Sequence, residues 1–207
     1  MKSSINTNDP ETVWKRARAQ VEQGDCSFLG WHFPEDPEWT GFSNLTLTNA
    51  NFDRATFDGK AFFQNTRFEG ATSFIDAVFS GPARFHDAKF HGKTWFSRTA
   101  FEQAAVFVDG AFHEGVSFKS TRFGGNLYLK GCRFGAKVDF GHAMADGDVE
   151  LLCPWEEPSP FGDTASGEGA YRVAKLAAER LGEHRRVSDY TAVQDDRAIV
   201  AGLVLRG

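Results

Sequence analysis

The most constraining feature of this sequence is a spacing of large apolar residues that continues unbroken from Leu47 to Phe140. Eighteen positions obey this spacing, and sixteen of them are Phe. The first two intervals are five residues, after which intervals of six and five alternate to the end of the stretch. Two such intervals make an 11-residue unit, as in FIDAVFSGPAR (74–84). A repeat of this regularity indicates a solenoid in which each unit stacks on the next.

The repeated large residues are predicted to form an inward-facing core ladder. After Leu47 they are Phe52, Phe57, Phe63, Phe68, Phe74, Phe79, Phe85, Phe90, Phe96, Phe101, Phe107, Phe112, Phe118, Phe123, Leu129, Phe134 and Phe140. A small residue stands two positions before nearly all of them, as Ala77 does before Phe79. Because residues two apart point to the same side of an extended chain, each pair should fill one corner of the interior.

Helices and ordinary hairpins do not fit this spacing. At about 100° per residue, steps of five and six would place successive Phe side chains roughly 140° apart on a helix. The ten Gly residues between Phe52 and Phe140 would each cost a helix about 1 kcal/mol. Turn residues that recur every five or six positions also leave no room for hairpin strands longer than two or three residues.

Several units resemble the motif of the pentapeptide-repeat family, a central Leu or Phe with a small residue two positions earlier. Examples are ANFDR (50–54), ATFDG (55–59) and AKFHG (88–92). The alternating five-and-six spacing is similar to the Phe-rich branch of that family with an 11-residue unit. The resemblance implies an all-β solenoid, a right-handed quadrilateral β-helix with one repeat per side and 22 residues per coil. The pattern does not decide which corner of the coil holds the extra residue of each longer interval.

The chain divides into four predicted parts: residues 1–40 form an N-terminal helix and cap, 41–143 the β-helix, 144–167 a linker and 168–207 an α-helical tail. Asp9 should be the N-cap of the first helix, with Pro10 in its first turn. Trp31 and Trp39 should anchor the cap. The tail resembles the form YRxxKxxAExxGxHRRxxxxY that follows the repeats in bacterial members of the family, starting here at Tyr171.

One column of outward positions is predicted to bind a partner, because apolar groups recur in it at 22-residue intervals. The column contains Phe62, Arg84, Val106 and Tyr128, and Trp95 is a further candidate on another side. A stack of exposed apolar groups favours either a protein partner or the chain's own C-terminal helix. The main functional prediction is therefore a non-enzymatic, rigid protein-interaction rod whose partner is unknown, and a homodimer is one of the states that the resemblance allows.

The alternative function comes from the resemblance alone. Family members that modulate or protect DNA gyrase or topoisomerase IV present an acidic rod that mimics duplex DNA. Residues 47–140 here hold nine acidic and twelve basic side chains, whereas a groove that binds phosphates needs negative charge on the rod. Direct nucleic-acid binding is not expected either, because the basic column of Arg67, Lys89 and Arg133 is interrupted by Ala111.

No catalytic residue, metal site or cofactor is predicted. His91 and His113 should stack near Glu69, and Asp87 should stack on Asp109, but a convex rod offers no concave site for them to line. The sequence also lacks motifs for nucleotide, metal or nucleophile chemistry. Three scattered Cys residues and the absence of a long apolar run favour a cytoplasmic setting without membrane insertion.

Overall fold

The fold is a parallel β-solenoid with one N-terminal helix, seen in a computed structural model. The structure describes residues 9–36, 38, 40–136, 138–155, 186–195 and 198–206, with side chains up to residue 150. Four sheets run along the solenoid, so the predicted four-sided β-solenoid is confirmed. Adjacent coils are in register at 22 residues: Thr56 pairs with Val78, and Val78 with Ala100.

Most strands are only two residues long, because a corner follows each of them. Sheet 1 contains β1 (His32–Phe33), β3 (Thr56–Phe57), β7 (Val78–Phe79), β11 (Ala100–Phe101), β15 (Arg122–Phe123) and β19 (Met144–Ala145). Sheet 2 contains β4 (Ala61–Phe62), β8 (Ala83–Arg84), β12 (Ala105–Val108), β16 (Leu127–Lys130), β20 (Val149–Trp155), β22 (Ala198–Arg206) and β21 (Arg186–Asp195). Sheet 3 contains β2 (Thr46–Thr48), β5 (Arg67–Glu69), β9 (Lys89–Phe90), β13 (Ala111–Phe112) and β17 (Arg133–Phe134). Sheet 4 contains β6 (Thr72–Ser73), β10 (Thr94–Trp95), β14 (Val116–Ser117) and β18 (Val138–Asp139).

Four ladders of stacked rings fill the interior. In the ladder beside sheet 3, the ring centroids of Phe68, Phe90 and Phe112 are 4.5 and 4.6 Å apart, and the rings are nearly parallel. Rings of neighbouring ladders meet edge to face, as Phe63 and Phe74 do at 5.6 Å and 89°, an arrangement that aromatic pairs prefer. Every residue of the predicted core ladder is buried except Phe134, which is half-buried, so that prediction is confirmed.

Two kinds of corner alternate around each coil. After Phe52, the amide of Ala55 donates to the Phe52 carbonyl at 3.0 Å, and Arg54 between them has φ 58°. The same left-handed position recurs every eleven residues, at Arg54, Asn65, Asp76, Asp87, Arg98, Asp109, Ser120, Gly131 and His142. The other corner has three residues, as between Phe57 and Ala61, and it therefore holds the extra residue of the longer interval.

The longer corner brings successive coils very close together. A Cβ on Gly81 would lie 2.4 Å from the carbonyl carbon of Gly59 in the preceding coil. A side chain there would force the backbone to move, which explains why glycine recurs at this corner.

Helix α1 (Pro10–Glu22) covers the N-terminal end of the solenoid. The Asp9 carboxylate accepts a hydrogen bond from the Thr12 amide at 3.1 Å, which confirms the predicted N-cap. Trp14 and Ala17 are buried, and the Trp14 indole N–H donates to the Pro34 carbonyl at 2.9 Å. The helix thus covers the apolar layer that a stacked core exposes at its end.

The cap also contributes rungs that were not part of the predicted core ladder. Phe28 stacks on Phe52 at 5.0 Å, Phe33 on Phe57 at 4.8 Å and Phe42 on Phe63 at 5.4 Å, measured between ring centroids. Of the predicted anchors, Trp31 packs against this core and Trp39 lies outside the described residues. The interior ladders therefore begin inside the cap.

The predicted linker is wrong in its first part. Strand β19 pairs with β15 and strand β20 with β16, each at the same 22-residue register. Ala145 occupies the ladder position that Phe123 has in the coil before, and Val149 is buried. The solenoid thus continues past residue 143, because the pairing of backbone groups does not need a Phe at every rung. Residues 156–167 of the predicted linker lie outside the described residues.

The prediction of a helical tail is also wrong for those residues of the tail that the structure describes. Strands β21 and β22 form an antiparallel pair, and β22 pairs antiparallel with β20 from Val149↔Leu205 to Trp155↔Ile199. The unpaired edge of β20 is a template for another strand, and β-branched residues such as Val193 and Ile199 fit a sheet better than a helix. The predicted helix around Tyr171 lies outside the described residues.

Candidate functional site

Sheet 2 has the broadest flat surface of the four sheets. Its strands β12 and β16 have four residues each, and β20 has seven. In β12 the inward Ala105 and Phe107 are buried, while the outward Val106 and Val108 are half-buried. This alternation is the two-residue period of an extended strand with one solvated face.

The structure aligns the predicted partner-binding residues of this sheet in one column. Phe62 pairs with Arg84, Arg84 with Val106 and Val106 with Tyr128. Arg84 is exposed, and Val106 and Tyr128 are half-buried. The predicted column is therefore present on one face, and its role in binding stays a prediction.

The prediction that Phe62 adds an exposed apolar group is wrong. Phe62 is 6% exposed. Gly41 of the cap lies against it, since a Cβ on Gly41 would be 2.7 Å from the Phe62 carbonyl oxygen. The guanidinium carbon of Arg84 lies 5.8 Å from the Phe62 ring centroid. The accessible apolar part of the column thus begins two coils further on, with Val106.

Polar groups surround this apolar centre. The Tyr128 hydroxyl accepts a hydrogen bond from the Asn126 amide at 2.8 Å. The Lys130 ammonium lies 5.6 Å from the Tyr128 ring centroid and 2.9 Å from a Glu150 carboxylate oxygen. The arrangement, with aliphatic side chains inside and an Arg, a Lys and a Tyr hydroxyl around them, resembles a protein-binding patch with a polar rim.

Trp95 lies on a different face. Its strand, β10, belongs to sheet 4, where Trp95 pairs with Ser73 on one side and with Ser117 on the other. The chain passes through sheets 1, 2, 3 and 4 in turn, so sheet 4 is on the opposite side of the solenoid from sheet 2. The five predicted residues therefore do not form one site.

Several carboxylates of the rod are paired with arginines. Asp76 accepts two hydrogen bonds from Arg98, at 2.6 and 2.8 Å, and Asp146 accepts two from Arg122. The hydrogen bonds from Arg98 lower the pKa of the Asp76 carboxyl below its ordinary value and raise the pKa of Arg98. These pairs join consecutive coils and neutralise negative charge along sheet 1.

The histidine pair of sheet 3 stacks as the register predicts. The rings of His91 and His113 are 4.5 Å apart and nearly parallel. Glu69 is bonded to Arg67, which lowers the pKa of the Glu69 carboxyl. Parallel rings cannot both aim a nitrogen lone pair at one ion. Within the described part of the chain no group of three or more possible metal ligands occurs.

The comparisons with known proteins agree with this geometry. The model of a protein family described as pentapeptide repeats matches four overlapping stretches, residues 42–88, 52–100, 74–118 and 96–144. No curated protein and no solved structure matches the chain significantly. Among the described residues, no helix has the length and apolar character that crossing a membrane requires.

Proposed function

Because the chain belongs to the pentapeptide-repeat family, we propose that it acts as a rigid, non-enzymatic rod that binds a protein partner on sheet 2. Proteins of this family are generally not catalytic, and a β-solenoid with a filled interior supplies a stiff surface. The observation that carries the proposal is the apolar centre of the half-buried Val106 and Val108. Val106 lies between Arg84 and Tyr128 in its column, and Val108 lies beside Lys130.

Stiffness is what makes such a face useful for binding. Side chains on paired strands are held at fixed spacings, so little conformational entropy is lost when a partner docks. Tyr and Arg are enriched among the residues that contribute most to protein interfaces. The Tyr128 ring is further oriented by Asn126 and Lys130.

We also propose a cytoplasmic setting. Cys26 and Cys132 are buried and free, and burial raises the pKa of the Cys26 thiol. Thiols of this kind are typical of a reducing compartment, where disulfides are rare.

Mimicry of DNA is not our proposal, because the acidic groups of the rod are partly neutralised. Asp76 and Asp146 are bound to arginines of neighbouring coils, and basic residues outnumber acidic ones between positions 47 and 140. A gyrase supercoiling assay with the purified chain tests this directly. We expect no inhibition and no protection from a quinolone, and either effect would favour mimicry.

A site-specific crosslinker tests the docking face. A photoreactive amino acid is placed at Val106, and the matched control carries it at Ala100, a half-buried outward position of the same coil on sheet 1. We expect a discrete crosslinked partner only from position 106. Once that partner is purified, Val106→Asp should weaken binding about tenfold or more, and Ala100→Asp should not. Equal effects of the two substitutions would refute docking on sheet 2.

A further inference from the structure

The face of sheet 4 around Trp95 has an unusual composition. Trp95 is the only large aromatic side chain among the outward positions of its column, between Ser73 and Ser117. On the same coil, Ser97 lies two residues after Trp95. On the next coil, Gly115 lies two residues before Ser117. The indole therefore has only small side chains before and after it in its column.

The polar groups next to this indole already have partners. The Ser97 and Ser117 hydroxyls are 3.1 Å apart and share a hydrogen bond, and the Ser73 hydroxyl donates to the Asp53 carboxylate. The half-buried Trp95 makes no hydrogen bond through its indole N–H within the described part of the chain. A partner thus meets an aromatic ring with a free donor, and the serines around it need no new bonds.

The exposed charged side chains beside the indole are lysines. Lys93 and Lys119 lie on either side of Trp95 and are exposed, and neither forms an ion pair among the described residues. Two carboxylates on this face are half-buried: Asp53 in the adjoining corner and Asp139, which pairs with Ser117. Asp53 accepts hydrogen bonds from the Ser73 hydroxyl and the Ile75 amide, and Asp139 accepts one from the Gly141 amide. Two unpaired ammonium groups beside an aromatic ring attract an acidic ligand.

We propose that sheet 4 is a second docking face, which binds an acidic protein segment with Trp95 as its anchor. A Trp that projects above small residues can enter a pocket of the partner, which is how a hot-spot residue acts. Single-stranded nucleic acid fits less well, because it needs several aromatic rings in succession, and Ser73 and Ser117 occupy the positions before and after Trp95.

The consequence is a rod with two faces. Sheets 2 and 4 lie on opposite sides of the Phe-filled interior, so one partner on each would not collide. The chain could then hold two proteins at a fixed separation, a function that goes beyond binding on sheet 2 alone.

The test uses the full chain and a fluorescently labelled synthetic peptide of Glu-Glu-Phe-Leu repeats, whose anisotropy is measured at physiological ionic strength. We expect the peptide to bind and its affinity to fall about tenfold or more in Trp95→Ala and in the double variant Lys93→Glu with Lys119→Glu. The matched control, Lys89→Glu with Arg133→Glu at exposed positions of sheet 3, should bind like the wild type. A Lys-Lys-Phe-Leu peptide should not bind.

Several results would overturn the proposal. They are an unchanged affinity in Trp95→Ala, equal losses in Trp95→Ala and in the sheet 3 control, and tighter Trp95-dependent binding of oligothymidylate than of the acidic peptide. Trp95→Phe is the control for a folding defect. This variant should keep part of the affinity for the peptide and the thermal unfolding temperature of the wild type. Binding on sheet 2 is measured separately with Val106→Asp, so the proposals for sheet 2 and for sheet 4 are tested independently of each other.

Discussion

The N-terminal cap and the repeat rod build the same interior from different kinds of sequence. In the rod, Phe rings 22 residues apart stack within 0–10° of parallel, as Phe90 on Phe112 and Phe118 on Phe140 do. In the cap, Phe33 stacks on Phe57 at 10° and Phe42 on Phe63 at 11°, and only Phe28 is clearly tilted, at 22° to Phe52. A segment without the regular repeat can therefore start a ladder by packing on the first regular coil.

The two regions also differ in how they are held together. The rod depends on one backbone pattern repeated in every coil, such as the amide of Ala100 bonded to the carbonyl of Ala77. The cap depends on individual side chains. Its Asp36 is 1% exposed, and its carboxylate accepts hydrogen bonds from the Gly41 amide at 2.6 Å and from Arg18 at 3.0 Å.

The largest expected effect is the loss of a ring in the middle of the rod. Phe85 stacks on Phe63 and Phe107 at 4.8 and 4.7 Å, so Phe85→Ala leaves a cavity between two coils. We expect the free energy of unfolding to fall by about 3–5 kcal/mol, measured by urea denaturation. Phe85→Leu is the matched control, because Leu129 fills the corresponding position two coils further on, and it should lose less than about 1.5 kcal/mol.

A smaller effect is expected in the cap, from Asp36→Ala. This substitution leaves the Gly41 and Thr40 amides without their acceptor and should cost about 1–3 kcal/mol. Native-state hydrogen exchange should show faster exchange in residues 10–36 than in the coils after Phe63. If both regions exchanged faster to the same extent, the cap and the rod would be one cooperative unit, and the contrast between them would not hold. Glu38→Ala, at an exposed carboxylate that also contacts Arg18, is the control.

The smallest effect concerns the exposed pair of Asp76 and Arg98. Because Arg98 lowers the pKa of Asp76 in the folded state, the pair stabilises the rod above the ordinary Asp pKa of about 3.9. That contribution is lost as the pH falls through the lowered folded-state pKa. Asp76→Asn should cost less than about 1 kcal/mol at neutral pH, since both side chains are solvated. Thermal unfolding at neutral and strongly acidic pH should show that the difference from wild type disappears in acid.

The interior could be predicted closely because its constraint lies in the sequence itself. A Phe every five or six residues, with a small residue two positions before it, leaves few arrangements in which all the rings are buried. The cap residues Phe28, Phe33 and Phe42 were not included in the predicted ladder. Phe42 lies five residues before Leu47 and so continues the spacing, whereas the interval of nine residues from Phe33 to Phe42 interrupts it. A further signal was composition, since three Phe occur within fifteen residues just before the repeat.

The binding candidates were predicted less completely. Register alone placed Arg84, Val106 and Tyr128 in one column, because residues 22 apart must be neighbours in a coil of that length. The register also placed Trp95 on another side, and the structure puts it on sheet 4. It could not show that the cap covers Phe62, because that depends on how segments distant in sequence pack together.

The C-terminal part shows the same limit. Residues 168–207 carry a helix-like spacing, yet the described strands β21 and β22 extend sheet 2. The β-branched residues Val187, Thr191, Val193, Ile199 and Val200 were a signal for strands, but only the available edge of β20 gives those strands a partner.

The sequence by itself thus determined the solenoid and its aromatic interior, because a strict period forces each coil to repeat the one before it, and the family resemblance implied the 22-residue coil. The tertiary structure decided which corner holds the extra residue, where the rod ends and which outward side chains remain accessible. These depend on contacts between segments that no period connects: backbone approach at Gly81, strand addition at β20 and the cover that the cap places over Phe62.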